Sequence, residues 1–159
     1  MATTETQRIT DQLGRAARGP AWHGPSMLEA LAGLTAADAA ARPVPAAHSI
    51  WEIVAHVTAW LEIVGMRVDG TTPAVITTDM DWPPIGGTTE TDWRAAVSRL
   101  DRTASALQSA VLELDDRRLD TDLPGVDDTW TAYVSLHGAA QHLLYHAGQV
   151  ALLRKALQP

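Results

Sequence analysis

The 159 residues contain no cysteine and no phenylalanine. Without cysteine there is no disulfide, no thiolate ligand, no iron–sulfur cluster and no cysteine nucleophile. Any bound metal must therefore be held by histidine, carboxylate or water. Basic residues are few and scattered, twelve Lys and Arg against nineteen Asp and Glu for a formal charge of −7. That balance lacks the electrostatic footprint of a nucleic-acid binder. No apolar run reaches membrane-spanning length, because the most apolar stretch, Ile50 to Met66, is broken by Glu52, His56 and Glu62. The start, Met1-Ala-Thr-Thr-Glu-Thr6, has neither the basic residues nor the apolar core of a signal peptide. A cytoplasmic location without membrane association is the expectation.

What is present is alanine, and with it high helix propensity. The length suits one domain, 1–159, able to bury a core unaided. No internal repeat or low-complexity tail interrupts it. Helix-start signals recur. Thr4-x-x-Gln7 opens an amphipathic segment to about Arg18, which Gly19-Pro20 and Gly24-Pro25 interrupt. Ser26-x-x-Glu29 starts a second stretch, Met27 to Leu34, read with the first as one broken helix. Thr35-x-x-Asp38 predicts a short helical turn before Arg42-Pro-Val-Pro45. Ser49-x-x-Glu52 opens a long helix to about Val68, closed by Asp69-Gly70. Thr71 to Gly87 reads as a long loop of the kind that covers sites. Thr89-x-x-Asp92 opens a third long helix with Trp93, Val97, Leu100, Ala104, Leu107, Val111 and Leu114 on one side. Asp128 or Thr129 caps the fourth, running to about Leu157. The fold class is all-α: an up-down four-helix bundle with a long loop between helices 2 and 3, of the kind that builds metal sites in its core.

His142 and His146 lie four residues apart, so both imidazoles share one helix face and can meet one ion. At 100° per residue, Ser135, Gly138, His142, His146, Gln149 and Leu153 fall within about 40° of a common direction. The second long helix offers His56 on a stripe with Glu52, Trp60, Ile63 and Arg67, making His56 the third candidate ligand. Three neutral imidazoles leave a coordination position for water or substrate, as a catalytic site requires. A lone histidine on an apolar face is also a common core residue, and HxxxH arises by chance on many helices. Leu143 stands where the base of an HExxH protease would be, which argues against that class.

Other residues compete for roles. Glu52 reads first as the capping-box partner of Ser49 and second as a catalytic helper. Gln149 and Tyr145 can orient a ligand or substrate, or simply pack. His48 reads as a local hydrogen-bonding residue, His137 as outward-facing, and His23, beside Trp22, as a possible active-site residue. Arg154 and Lys155 suit the negative end of the last helix.

Three segments resemble the DinB-like, or YfiT-like, superfamily of metal-binding four-helix bundles. They are Gly19-Pro-Ala-Trp-His-Gly-Pro-Ser26 with Leu31-Ala-Gly-Leu-Thr35, then His48-Ser-Ile-Trp-Glu-Ile-Val-Ala-His56-Val-Thr-Ala-Trp60, and His142-Leu-Leu-Tyr-His146-Ala-Gly-Gln149 with Leu153-Arg154. The last is the most specific, and the resemblance spans about Ile9 to Leu157. It implies a divalent metal, zinc first and nickel second, on His56, His142 and His146. It also implies a homodimer, for which Ala140, Leu144, Ala147 and Ala151 offer an apolar face in need of cover. Activities in the superfamily are diverse. A thiol-dependent S-transferase acting on small electrophiles is the leading expectation, with a small-molecule substrate and a low-molecular-weight thiol as partners. A metal-dependent hydrolase of small amides or esters is the alternative, and a non-catalytic ligand-binding or stress-response bundle the third. The mycothiol-dependent isomerase branch tends to carry a glutamate where this chain has His142, which argues against that branch.

Overall fold

Helices form where the chain supplies a cap followed by an apolar stripe. The computed structural model describes residues 3–71, 75–123 and 130–157. Seven α-helices lie among them: α1 (Glu5–Arg18), α2 (Met27–Leu31), α3 (Ala36–Ala40), α4 (Ile50–Val68), α5 (Thr78–Asp81), α6 (Glu90–Leu112) and α7 (Ala132–Ala156). Capping boxes open five of them, at Thr4, Ser26, Thr35, Ser49 and Thr89. In each, the hydroxyl accepts from the N3 amide while the N3 side chain accepts from the cap amide, satisfying two otherwise orphaned donors. Four long helices, α1, α4, α6 and α7, make the bundle, and no strand occurs among the described residues.

Several boundaries differ from the sequence reading. α1 stops at Gly19, whose φ of 85° and close approach to the Glu29 carboxylate suit a residue without a side chain. The following stretch is therefore a separate short helix, α2, ending at Leu31 instead of Leu34. α6 ends at Leu112. α7 is capped by Thr131, whose hydroxyl accepts from the Val134 amide. The caps expected at Asp128 or Thr129 lie outside the described residues.

Neighbours round the bundle run in the order α1, α6, α4, α7. Side-chain pairings fix the directions. Trp51 meets Trp93, while further along Glu62 pairs with Arg99, so α4 and α6 run the same way. Arg18 pairs with Asp101, while at the other end the amides of Glu5 and Thr6 donate to Asp116 beyond α6, so α1 opposes α6. Because α4 and α6 are parallel, the bundle does not alternate up and down as the sequence suggested, and their connection must travel back along it. That return carries the chain across the face where α4 meets α7.

The core runs continuously through the four long helices, with Ile9, Leu100, Val54 and Leu136 all buried. Arg154 and Lys155 lie in the last turn of α7 as expected, and Arg154 also donates to the carbonyls of Ala30 and Ala32 at the C-terminal end of α2. Ala140 and Ala147 are buried within the chain's own core and Leu144 packs against it. The α7 face expected to need a partner's cover is thus covered by the same chain, and it gives no argument for a dimer. No helix among the described residues is long and apolar enough to cross a membrane.

Asp116 acts as a remote cap for α1, accepting from the amides of Glu5 and Thr6 and from the Thr6 hydroxyl. These hydrogen bonds hold its carboxyl below the ordinary carboxylate range. A depressed folded-state pKa stabilises the fold above the unfolded pKa and stops doing so as pH falls through the folded value. Asp116→Asn is therefore expected to melt earlier than the parent at neutral pH. The gap should narrow as both are acidified below about pH 4, which thermal melts across pH will check.

Candidate metal centre

His56 is presented by α4, and His142 and His146 by adjacent turns of the antiparallel α7. The His142 Nε2 atom lies 3.1 Å from the Nε2 of His56 and 3.0 Å from that of His146. Four-coordinate zinc with bonds of about 2.0–2.1 Å places neighbouring ligand nitrogens about 3.3 Å apart. The residues present fit such an ion after a shift of a few tenths of an ångström. The three histidines are positioned to bind a metal ion, and they form the one such His/Cys/Asp/Glu group among the described residues.

The hydrogen bonds behind the rings decide which nitrogens face inward. His56 Nδ1 donates to the Asp81 backbone carbonyl at 2.6 Å, with the Asp81 carboxylate 3.3 Å away. His146 Nδ1 donates to Gln149 Oε1 at 2.6 Å. A carbonyl oxygen only accepts, so both rings carry their proton on Nδ1 and turn an Nε2 lone pair inward. At most one N–H can then lie among three converging nitrogens, and a cation resolves the remaining lone-pair repulsion. Burial keeps the rings neutral. It pushes His142 down to about 4, helped by its neighbours His146 and His56. Burial also lowers His56, against the opposing pull of Asp81, and His146, against that of Gln149. Neutral imidazole is the ligating form.

The parallel run of α4 and α6 places two residues here that periodicity did not reveal. Asp81, at the end of α5, also accepts from Trp60 Nε1 at 2.6 Å. Trp82 stacks on His56 at 3.9 Å between centroids and on His48 at 3.6 Å, both at 10°. A large aromatic followed by two prolines in a polar loop was the available signal. A side chain of that size in a loop usually anchors to something.

The remaining candidates separate. Gln149 orients His146, and Tyr145, well exposed, stands at the rim with its ring 5.0 Å from that of His146. Glu52 closes the Ser49 capping box and pairs with Arg42 and His48, so its carboxylate is committed there and is not part of the three-histidine group. His48 is more than a local hydrogen-bonding residue, since it forms the outer layer of the Trp82 stack. His23 and Trp22 are exposed between α1 and α2 and line neither cavity beside the histidines. His137 is not simply outward-facing. It packs on Tyr133 and lies 3.8 Å from Glu5.

Two cavities meet at the centre. One, of about 540 Å³, runs along the α4–α7 groove past His56 and His142. The other, of about 530 Å³, opens beside His48, Trp82 and His146. Gln149→Leu removes the acceptor that fixes His146 and is expected to weaken zinc binding by about 10–100-fold with the fold intact, as competition against a chelating dye will show.

An all-helical bundle with three inward imidazoles from two antiparallel helices defines the class. The sequence profile of the DinB superfamily matches residues 21–150, and the chain belongs to that superfamily. Its fold is similar to the crystal structure of a conserved protein from Enterococcus faecalis, with a TM-score of 0.71 at 19% identity over 98% of each chain. No curated protein matches the chain.

Proposed function

We propose that this protein is a metal-dependent enzyme that joins a low-molecular-weight thiol to a small electrophile, with His56, His142 and His146 holding a divalent ion, zinc before nickel. The observation that carries the reading is the convergence of three Nε2 atoms at the junction of two cavities. A divalent ion bound there supplies Lewis acidity, drawing the pKa of an adjacent thiol or water toward neutrality. With no cysteine in the chain, a thiol nucleophile must come from outside the protein. Trp60 and Trp82 wall the histidines and limit water, and two cavities give separate approaches for a thiol and an electrophile. The Tyr145 phenol at the rim can donate to a developing negative charge on the electrophile.

Zinc-loaded, untagged protein is to be assayed with a panel of small thiols and 1-chloro-2,4-dinitrobenzene, following release of chloride. Thiol-dependent turnover that His146→Ala lacks supports the reading. Equal activity in both proteins, or none in either across the panel, rejects it. Turnover of small esters or amides without thiol would move the assignment to the hydrolase class.

A further inference from the structure

Arg67 lies on the same stripe of α4 as His56 and is about nine-tenths buried. Its Nε makes no hydrogen bond among the described residues. Burial lowers its pKa, and no carboxylate among the described residues offsets this. The guanidinium lies over the Trp60 ring, 5.7 Å from the centroid, which supports the cation without neutralising it. Across the groove, the Ser135 hydroxyl on α7 is also buried and has no hydrogen-bond partner among the described residues. Both groups line the 540 Å³ cavity that reaches His56 and His142. Buried charges are normally paired, because an unpaired one carries a large desolvation cost. The Arg67 Nε and the Ser135 hydroxyl, unpaired among the described residues on facing helices that line one cavity, describe a half-built site.

We propose that this cavity binds a small organic acid through its carboxylate, held by Arg67 and Ser135, with the rest of the molecule lying along the groove toward the three histidines. The donor set selects the class. One guanidinium fork and one hydroxyl match a carboxylate, whereas a phosphate dianion calls for more positive charge than one arginine. No other cation among the described residues lines the cavity, and Asp81 at its far end disfavours a second anion there. Leu61, Val64 and Ala139 line the stretch between, so the middle of the ligand is apolar. Ser135 stands seven residues before His142, or about 10 Å along the helix axis. The long Arg67 side chain leans back toward the His56 end of α4. A linear acid of about six carbons, hydrogen-bonded through its carboxylate at one end, covers most of that distance.

The proposal names a substrate class for the site read above, and it rests on that reading only for what happens at the histidine end. The test uses hexanoate and its neutral analogue hexanamide, titrated calorimetrically into zinc-loaded protein and into His146→Ala. Hexanoate is expected to bind at least about 10-fold more tightly than hexanamide in both, since a charge-assisted hydrogen bond contributes that much. Retention in His146→Ala separates the anion site from the metal and from catalysis. Arg67→Met should lose the preference for hexanoate and, by removing an unpaired buried charge, melt about 2–4 °C higher without ligand. Arg67→Lys keeps the charge without the fork and should bind hexanoate with intermediate affinity. Equal affinity for the acid and the amide overturns the proposal, as does undiminished hexanoate binding by Arg67→Met. A clear fall in the melting temperature of Arg67→Met also overturns it, because it would mean that the guanidinium already has a partner within the chain.

Discussion

Untagged protein is expected to carry about one divalent ion per chain, and His146→Ala almost none, when both are measured by elemental analysis after gel filtration. The size of the effect follows from how ligation energy is shared. A site that holds zinc through three imidazoles loses roughly a third of its ligation energy with one of them, so affinity should fall by at least about 100-fold. His146 is the informative position because two structural facts converge on it. Its Nε2 is 3.0 Å from that of His142, and its Nδ1 is committed to Gln149. Neither contact belongs to the hydrophobic core, so the variant should fold. Zinc at about a hundredfold excess over its Kd should stabilise the parent by about 2.7 kcal/mol, because only the folded state brings the three rings together. The melting temperature of the parent should accordingly rise by about 5–10 °C, while His146→Ala stays where it was. A parent that binds no metal and melts identically with zinc or chelator would leave the histidines as packing residues and remove the basis for catalysis.

Why the three histidines could be read from the sequence while their surroundings could not is a matter of range. His142 and His146 are brought together by one turn of a single helix, and His56 by a stripe on another, so periodicity alone nominates them. The capping boxes are equally local, closing within four residues. Asp81 and Trp82 have no periodicity to declare them. They reach His56 only because α4 and α6 run parallel and their connection must return across the α4–α7 face, which is a property of the whole bundle. The same limit explains the apolar side of α7. Ala140 and Ala147 are buried, but a helix with two occupied faces does not state which neighbour occupies each. Here α1 and α2 pack on α7, and of the four residues that suggested a second chain Ala140 and Ala147 are interior while Leu144 and Ala151 are half-buried. Arg67 shows the reverse case. Its place on the His56 stripe was visible, whereas its lack of a partner appears only once the surroundings are assembled.

That division of α7 into two faces leads to the largest expected loss of stability. Leu143 lies between the two histidines in sequence but about 80° round the helix from their mean direction, almost fully buried in the core. Leu143→Ala removes well-packed side-chain volume that neighbouring helices cannot collapse to fill, at a cost of about 2–5 kcal/mol. For a domain of this length that corresponds to a melting temperature lower by about 10 °C. Leu152, two-thirds exposed on the same helix, should change stability by less than about 0.5 kcal/mol when replaced by alanine. The contrast has a further consequence, because the imidazoles on either side of Leu143 stay on their own face. Leu143→Ala should still bind zinc with affinity within a few-fold of the parent, and saturating metal should recover much of the lost melting temperature through mass action on the folded state. If Leu143→Ala were instead to lose zinc as completely as His146→Ala, the core and metal faces of α7 would be one cooperative unit. The separation that lets this helix carry a packed core on one side and a ligand set on the other would then be wrong.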